Sequence, residues 1–338
     1  MRANVNNLSG VWHARRAAWY TSNMKRQALF SFLLALCMAV SAIPLSGCAE
    51  TKLPPAADVT PSPMPESSET PSPTPAEESR SAVLRVFLIN TGESDALLFQ
   101  TDSGAFLVDT GLKKHFDAVE AVLARAGVSA LDAVILTHGH KDHIGGLKKL
   151  LKCCTVGTIY TAAVDDETYS DSEVKTIAES GAERVFLKRS DTFTLCGLSF
   201  EVLSPGRKYV EALGEDDNDN SLVLRASAAG CTLLLMGDAT ENIERILLDE
   251  GAPLAADVLK VGRHGKDDAS CAGFLSAVSP RVALVTGSHS DGDASPSEAV
   301  LARLAETGAS VYSNDTDLLA TELIFNRDGE ITVVEHAW

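Results

Sequence analysis

Thr137-His138-Gly139-His140-Lys141-Asp142-His143-Ile144-Gly145-Gly146 carries an H-x-H-x-D-H hexapeptide, which places three of the chain's 8 histidines within six residues. The apolar run Ala133-Val134-Ile135-Leu136 before it has the pattern of a buried strand. After it, Gly145-Gly146 opens a short helical pattern that runs through Leu150-Leu151. Ligands on a strand-to-helix loop can converge on one point. Imidazole nitrogens with a carboxylate oxygen suit Zn²⁺ or a similar borderline ion. A merely solvated polar loop has no need of histidine three times. His138, His140, Asp142 and His143 are therefore candidate metal ligands.

The segments on either side differ sharply in character. Met24-Lys25-Arg26 followed by the apolar stretch 28–43 reads as a signal peptide spanning residues 1–48, with translation starting at Met24. Leu45-Ser46-Gly47-Cys48 resembles a bacterial lipobox and makes Cys48 the expected lipidation site. The alternative is an uncleaved signal anchor, for which the apolar run is short. Residues 49–80 are Pro, Ser, Thr, Glu and Ala with few large apolar side chains, the composition of a disordered tether. Residues 81–338 read as one globular domain.

Charge narrows the possible partners. The chain carries a net charge of −17, and residues 81–338 hold 22 basic against 40 acidic groups. Such a surface repels polyanions at long range and argues against non-specific duplex binding, leaving room only for a local basic pocket. Cys153, Cys154, Cys196, Cys231 and Cys271 lack C-x-x-C spacing. They suggest neither a zinc knuckle nor a disulfide framework, and vicinal Cys153-Cys154 reads as core packing.

The domain alternates strand and helix signals. Strands are expected over 83–89, 96–100, 105–108, 133–136, 184–187, 193–195, 198–203, 221–226, 232–236, 257–261 and 281–285. Helical patterns cover 116–126, 167–180, 241–249, 271–278 and 297–306. Two half-sheets with helices outside predict an α/β fold, a four-layer αββα sandwich.

Taken in order, these pieces resemble the metallo-β-lactamase superfamily. The hexapeptide loop matches its signature, and Gly92-Glu93-Ser94-Asp95-Ala96-Leu97-Leu98 with Leu107-Val108-Asp109-Thr110-Gly111 match its opening hairpins. Four further stretches are Asn220-Ser221-Leu222-Val223-Leu224, Leu234-Leu235-Met236-Gly237-Asp238-Ala239, the run 257–265 ending in Gly262-Arg263-His264-Gly265, and Pro296-Ser297-Glu298-Ala299-Val300-Leu301. They are similar to the hydrolase domains of the ComEC type, found in bacterial competence DNA-uptake proteins and soluble relatives. The resemblance implies that His138 and His140 bind one metal, Asp142 and His143 the other, that Asp238 bridges both ions, and that His264 completes the second set. It implies one or two zinc ions, with manganese possible. By themselves, Asp238 also reads as a cap for a helix from Thr240 onward, and His264 as a loop histidine.

The chain also departs from that pattern. Among its relatives' motifs, Arg263 replaces the first of two paired histidines, Ser295 replaces a histidine before Pro296, and Asp219 or Asn220 stands where many superfamily members have another histidine. Asp109, and less clearly Asp95, are expected to hold a ligand histidine in place. Asn220, Arg263, Lys266 and Ser288 flank the metal loops and could face a substrate phosphate. His115, His289 and His336 read as surface histidines. The implied activity is hydrolysis by metal-activated water, with Asp142 as the candidate catalytic residue. The expected substrate is a phosphodiester, either short or single-stranded nucleic acid or a cell-wall polymer, and no protein partner is evident. A carbon-ester or lactam hydrolase, or a catalytically weak envelope binding module, are the alternatives.

Overall fold

The computed structural model describes residues 82–163, 169–206, 217–228, 230–289 and 295–338. The expected signal peptide, Cys48 and tether lie outside them. Among the described residues, fifteen strands make two sheets. β1 (Ala82–Ile89), β2 (Leu97–Thr101), β3 (Gly104–Val108), β4 (Ala130–Ile135), β5 (Thr155–Ala162) and β6 (Glu183–Leu187) belong to the first, as do β14 (Ala320–Asn326) and β15 (Ile331–His336). Its order is β15-β14-β1-β2-β3-β4-β5-β6. The second contains β7 (Thr192–Leu195), β8 (Leu198–Ser204), β9 (Val223–Ala228), β10 (Cys231–Leu235), β11 (Val258–Lys260), β12 (Val282–Val285) and β13 (Ser310–Ser313). Its order is β13-β12-β11-β10-β9-β8-β7.

Period-two patterning decides the layering. In β1, Leu84, Val86 and Leu88 face the space between the sheets, whereas Phe87 and Ile89 face outward onto helices. In β10 the inward residues are Leu233 and Leu235, and Leu234 faces the other way. Three apolar layers result. The middle one is sheet on sheet, where Phe99 and Phe106 stack with centroids 4.7 Å apart and Phe200 meets Phe106 edge-on at 5.7 Å. Burying such an aromatic side chain contributes about 1.5–3 kcal/mol. The first sheet's outer face is covered by α1 (Phe116–Arg125), α3 (Leu147–Cys153) and α4 (Asp171–Glu179), α2 being the single turn Lys141–Ile144. The second is covered by α5 (Glu241–Asp249), α6 (Ala272–Val278) and α7 (Glu298–Thr307). This is the expected αββα sandwich.

β5, β13, β14 and β15 are not among the expected strands, and the helix expected from residue 167 starts later. β5 fills the space between the motif strand and β6, although Gly157 and the preceding Cys-Cys pair blur its pattern. β14 returns the chain to pair with β1 and β15 adds on to β14, a long-range closure that carries little local signal. α4 starts at Asp171 because Ser170 and Glu173 form a reciprocal capping box. His289 and His336 turn out to have acidic partners, Asp315 at 2.8 Å and the buried Glu322 at 2.7 Å.

β3, β4, β5 and β6 are parallel, as are β10, β11, β12 and β13. The C-terminal ends of each parallel set, where such sheets place their ligands, therefore gather chemistry-bearing loops at one edge. Gly237 lies where loops from the two sheets meet. Its φ is +53°, and a Cβ there would stand 2.9 Å from the Ser221 side chain and 3.1 Å from that of Thr137. Only glycine fits both the turn and the gap.

Candidate metal centre

Eight acidic and imidazole side chains meet at this edge from five loops. Asp95 comes from the β1–β2 loop and Asp109 follows β3. His138, His140, Asp142 and His143 follow β4, Asp238 follows β10, and His264 follows β11. All six expected ligands are thus brought together. His138, His143, Asp238 and His264 are buried, while His140 and Asp142 are partly open to solvent.

His143 and His264 are held alike. His143 Nδ1 lies 2.7 Å from Asp109 Oδ2, and its Nε2 faces Asp238 Oδ1 at 3.1 Å. His264 Nδ1 lies 3.2 Å from Asp95 Oδ1 and 3.0 Å from Thr286 Oγ1. Its Nε2 stands 3.2 Å from Asp142 Oδ2 and 3.3 Å from Asp238 Oδ2. Carboxylates behind both rings place the proton on Nδ1 and leave Nε2 to face forward. The two oxygens of Asp238 divide between the two rings. Beside them, His138 Nε2 and His140 Nδ1 are 3.0 Å apart, and the His138 and His143 centroids are 4.1 Å apart.

This donor set fits a divalent cation. Ligand atoms sharing an ion at about 2.0–2.2 Å must lie about 3.0–3.6 Å from each other, which is the spacing seen here. His143 Nε2 and Asp238 Oδ1 are buried, close, and yet without any hydrogen-bond partner among the described residues. Such orphaned atoms are what a shared cation satisfies. One ligand atom each from Asp95, His143, Asp238 and His264 falls within 4.8 Å of the others. Asp95, however, meets the Nδ1 edges of the rings and the Lys260 ammonium. It is better placed to brace the imidazoles than to share their ion.

Without a cation the cluster draws protons instead. Burial opposes charge on His143, but Asp238, Asp109 and Asp95 push its pKa up to about 10. Burial likewise opposes charge on His264, yet Asp238 and hydrogen bonds to Asp142, Asp238 and Asp95 raise it well above the usual range. Burial works against the Asp142 carboxylate, but His264 and His143 bring it down to about 2. Asp238 is driven well below the carboxylate range against its burial by His264 and His143. His138 goes the other way, lowered by burial and by its proximity to His143. Asp109 is raised because burial outweighs the pull of His143.

Backbone geometry supports the placement. Asp109 (φ 59°), Arg263 (φ 49°) and His264 (φ 55°) occupy the left-handed region. Each costs of order 1–3 kcal/mol in a non-glycine residue, and such strain concentrates at functional sites. α2 is pinned from below, since Gly146 N donates to Gly111 O and a Cβ on Gly146 would stand 2.3 Å from Thr110 O.

Other candidates fall outside the cluster. The Arg263 side chain lies 3.3 Å from Asp268. His264, second of the pair, occupies the forward position, so Arg263 at the first position takes nothing from the inner set. Asp219 faces away, accepting from Thr240 N at 3.1 Å, Thr240 Oγ1 at 2.7 Å and Asn242 Nδ2 at 3.1 Å at the start of α5. Thr240, not Asp238, is the cap of that helix. Asn220 is buried in the same turn, and its side chain makes no hydrogen bond among the described residues. Lys266 pairs with Glu93 at 2.7 Å, and Ser295 Oγ donates to the other Glu93 oxygen at 2.6 Å.

Several residues of the centre lie inside the motif stretches without standing out there as candidates. Lys260 is fully buried on the inner face of β11, donating to Gly237 O at 2.9 Å and pairing with Asp95. It therefore ties the Asp238 turn to the brace of His264. The available signal was a lysine inside an apolar strand, Val258-Leu259-Lys260-Val261. Ser221 Oγ accepts from Asp238 N at 3.0 Å and lies 3.3 Å from His138 Nδ1. Thr137 donates from N and Oγ1 to Asp109 at 2.8 and 2.7 Å. These hydroxyls are common residues, distinguished only by where the strands deliver them.

The chain is similar to several bacterial competence proteins. It is 28% identical over 267 residues to ComE operon protein 3 of Bacillus subtilis (strain 168), covering 73% of this chain and 34% of that protein. It is 32% identical over 229 residues to Competence protein ComA of Neisseria gonorrhoeae, covering 67% of this chain and 30% of that protein. The chain therefore spans about a third of the length of the curated relatives it matches. The sequence profile of the Metallo-beta-lactamase superfamily matches residues 89–289, from the end of β1 past β12, and so takes in the hexapeptide loop, Asp238 and His264. With more than half its length matched in this way, the chain belongs to the metallo-β-lactamase superfamily.

Proposed function

We propose that this domain is a metal-dependent phosphodiester hydrolase acting at the outer face of the cytoplasmic membrane. The observation that carries the reading is Asp238, whose two oxygens face two separate imidazoles while His138 and His140 face each other alongside. In this reading His138 and His140 would hold one ion, Asp142, His143 and His264 would hold another, and Asp238 would be a ligand of the pair. Zinc fits the nitrogen-rich set, with manganese as the alternative. A pair of divalent ions supplies Lewis acidity and lowers the pKa of water to about 7.

The chain's own residues do the rest. Asp109 and Asp95 fix the ring orientations of His143 and His264. Lys260 keeps Asp95 ionised and holds the Gly237 carbonyl, and Ser221 holds the Asp238 amide. Asp142 is the most exposed of the acidic groups in the cluster, with 31% of its side chain accessible. It is placed to orient an incoming nucleophile or take its proton. The relatives' names, which refer to competence, support a nucleic-acid or other phosphodiester substrate and an envelope location. Lipidation at Cys48 is the proposed anchor. Among the described residues no helix is long and apolar enough to cross a membrane.

Turnover of bis-p-nitrophenyl phosphate measured against a lactam reporter tests the reaction. Faster diester turnover, lost in Asp142→Ala and Asp238→Ala, is expected. Faster lactam turnover would favour the lactam reading, and equal slow rates in all variants a binding module. Elemental analysis should find one to two Zn or Mn ions per chain. Cys48→Ser should release the protein from the membrane fraction or leave it unprocessed.

A further inference from the structure

Three consecutive residues of the His264 turn sit in the left-handed region: Arg263 at φ 49°, His264 at φ 55° and Gly265 at φ 84°. Arg263 and His264 persist there only because their surroundings over-determine it. Two grips come from the second half of the molecule. Arg263 N donates to Gly237 O at 3.2 Å, tying the turn to that of Asp238, and Ser297 N donates to Gly265 O at 3.0 Å. Lys266 N closes the turn on Arg263 O at 2.9 Å. The packing leaves no slack. A Cβ on Gly265 would stand 3.0 Å from Pro296 Cβ, and one on Gly287 would stand 2.4 Å from His264 O.

A third grip reaches across from the first sheet. Glu93, in the β1–β2 loop, is only 6% exposed. One of its oxygens accepts from Lys266 Nζ at 2.7 Å and the other from Ser295 Oγ at 2.6 Å. Lys266 follows the turn directly and Ser295 precedes the proline packed against it, so one carboxylate fastens both flanks. Asp95 belongs to the same loop. Its Oδ1 lies 3.2 Å from His264 Nδ1, and its amide donates to Asp142 O at 3.1 Å. The loop is anchored at its start by Asn314 Nδ2, which donates to Ile89 O at 3.3 Å and Gly92 O at 3.2 Å. His138 is held differently, its Nδ1 lying 3.3 Å from Ser221 Oγ and 3.2 Å from Thr137 Oγ1.

We propose that Glu93 is a positioning residue for the His264 side of the centre: through Lys266 and Ser295 it keeps the strained turn, with Asp95 behind it, in the geometry that presents His264 Nε2. The inference rests on the two-ion reading above. It assigns the clasp to the ion of Asp142, His143 and His264, because the Asp95 loop reaches Asp142 and His264. An ionised carboxylate offers one oxygen to an ammonium and the other to a hydroxyl, and both bonds are charge-assisted. Cutting the clasp frees the turn to relax toward ordinary backbone angles and so withdraws His264. Ser295 is one of the positions where the chain departs from its relatives' motifs, and its hydroxyl is the donor that completes the clasp.

The test uses the full chain purified in detergent, with zinc as the metal and a chelator in competition. Glu93→Gln keeps the shape and an acceptor for Ser295 but not the charge, and Lys266→Met removes the partner. Lys266 has 35% of its side chain exposed, so Glu93→Gln leaves its ammonium within reach of water and the fold intact. Both variants should weaken one zinc ion by about 10–100-fold and leave the other within about twofold. The same loss should appear for the ion that His140→Ala retains, and Lys266→Arg should restore the affinity. Amide exchange in the metal-free protein gives a second readout. At Lys266 and Ser297 it should quicken about tenfold in both variants, as local opening becomes easier, and at His143 it should not change. Equal weakening of both ions, failure of Lys266→Arg to restore affinity, or unaltered exchange at Lys266 and Ser297 overturns the positioning role. Faster exchange in both variants of a protein whose wild type binds no zinc would retain the clasp on the turn and remove the two-ion reading.

Discussion

The two sheets build the centre in opposite ways. The first concentrates its contribution, with four ligands on one loop after β4 and a fifth side chain, Asp109, hydrogen-bonded to that loop. The second disperses it: Asp238, His264, Lys260 and Ser221 come singly from neighbouring strands and their loops. A contiguous loop organises itself through short-range bonds. The dispersed set depends on parallel register, since β10 and β11 must end together before Asp238 and His264 can face one another. The second half should therefore be more vulnerable to single changes in its supports.

The largest expected effect is at the point where both halves meet. Asp238→Ala should lower diester turnover by a factor on the order of 10² or more and shed bound metal, because the carboxylate that faces both Nε2 atoms is lost. His140→Ala, on the half that keeps three other ligands in sequence, should retain more metal by elemental analysis. The reverse ranking would break the comparison. Next is Lys260→Met, which leaves Asp95 buried without its cation and should cost about 3–5 kcal/mol in denaturant unfolding. A loss within experimental error would show that the ammonium does not hold the second half together.

Smaller effects sharpen the picture. Asp109→Asn and Asp95→Asn each leave an imidazole less firmly held and should weaken metal affinity about 10–100-fold in chelator competition. Asp95→Asn is expected to cost more, because it also orphans Lys260. Protonation gives a pH test. His143 in the metal-free protein has its pKa raised from the ordinary value of about 6.5 to about 10. Its contribution to stability is therefore complete below about pH 6.5 and fades as pH rises through about 10. Metal must displace that proton, so affinity should climb by up to about tenfold per pH unit across this window. A flat profile in isothermal titration would show that His143 is not protonated in the apo site. The smallest change is expected at Arg263→Ala, where loss of the contact with Asp268 should shift stability by no more than about 0.5 kcal/mol and leave metal content intact.

Most of the first half could be read directly from residues 137–146. The motif is local, its spacing is chemical, and the flanking apolar strand and glycines say where it sits. Strand positions were equally legible as apolar runs, but β1 and β10 are apolar on both faces, so only the fold decides which side chains meet the neighbouring sheet. β14 and β15 were not, since a strand that closes a sheet on β1 from more than 230 residues away is specified by its partner. Asp238 and His264 were legible only through resemblance; each alone reads equally well as a cap or a loop residue.

By itself the chain determined the ligand chemistry, because imidazole and carboxylate at H-x-H-x-D-H spacing have few other uses, and it determined where most strands and helices lie. The tertiary structure alone decided how those ligands are held. Asp95 turns out to serve His264 and Lys260 rather than a cation, Asp219 to serve a helix start, and Arg263 to face Asp268. The physical reason is distance along the chain. Hydrogen bonds between Asp95 and His264, or between Ser221 and His138, join residues that only strand register brings within 3.3 Å. No local pattern in the sequence encodes such a meeting.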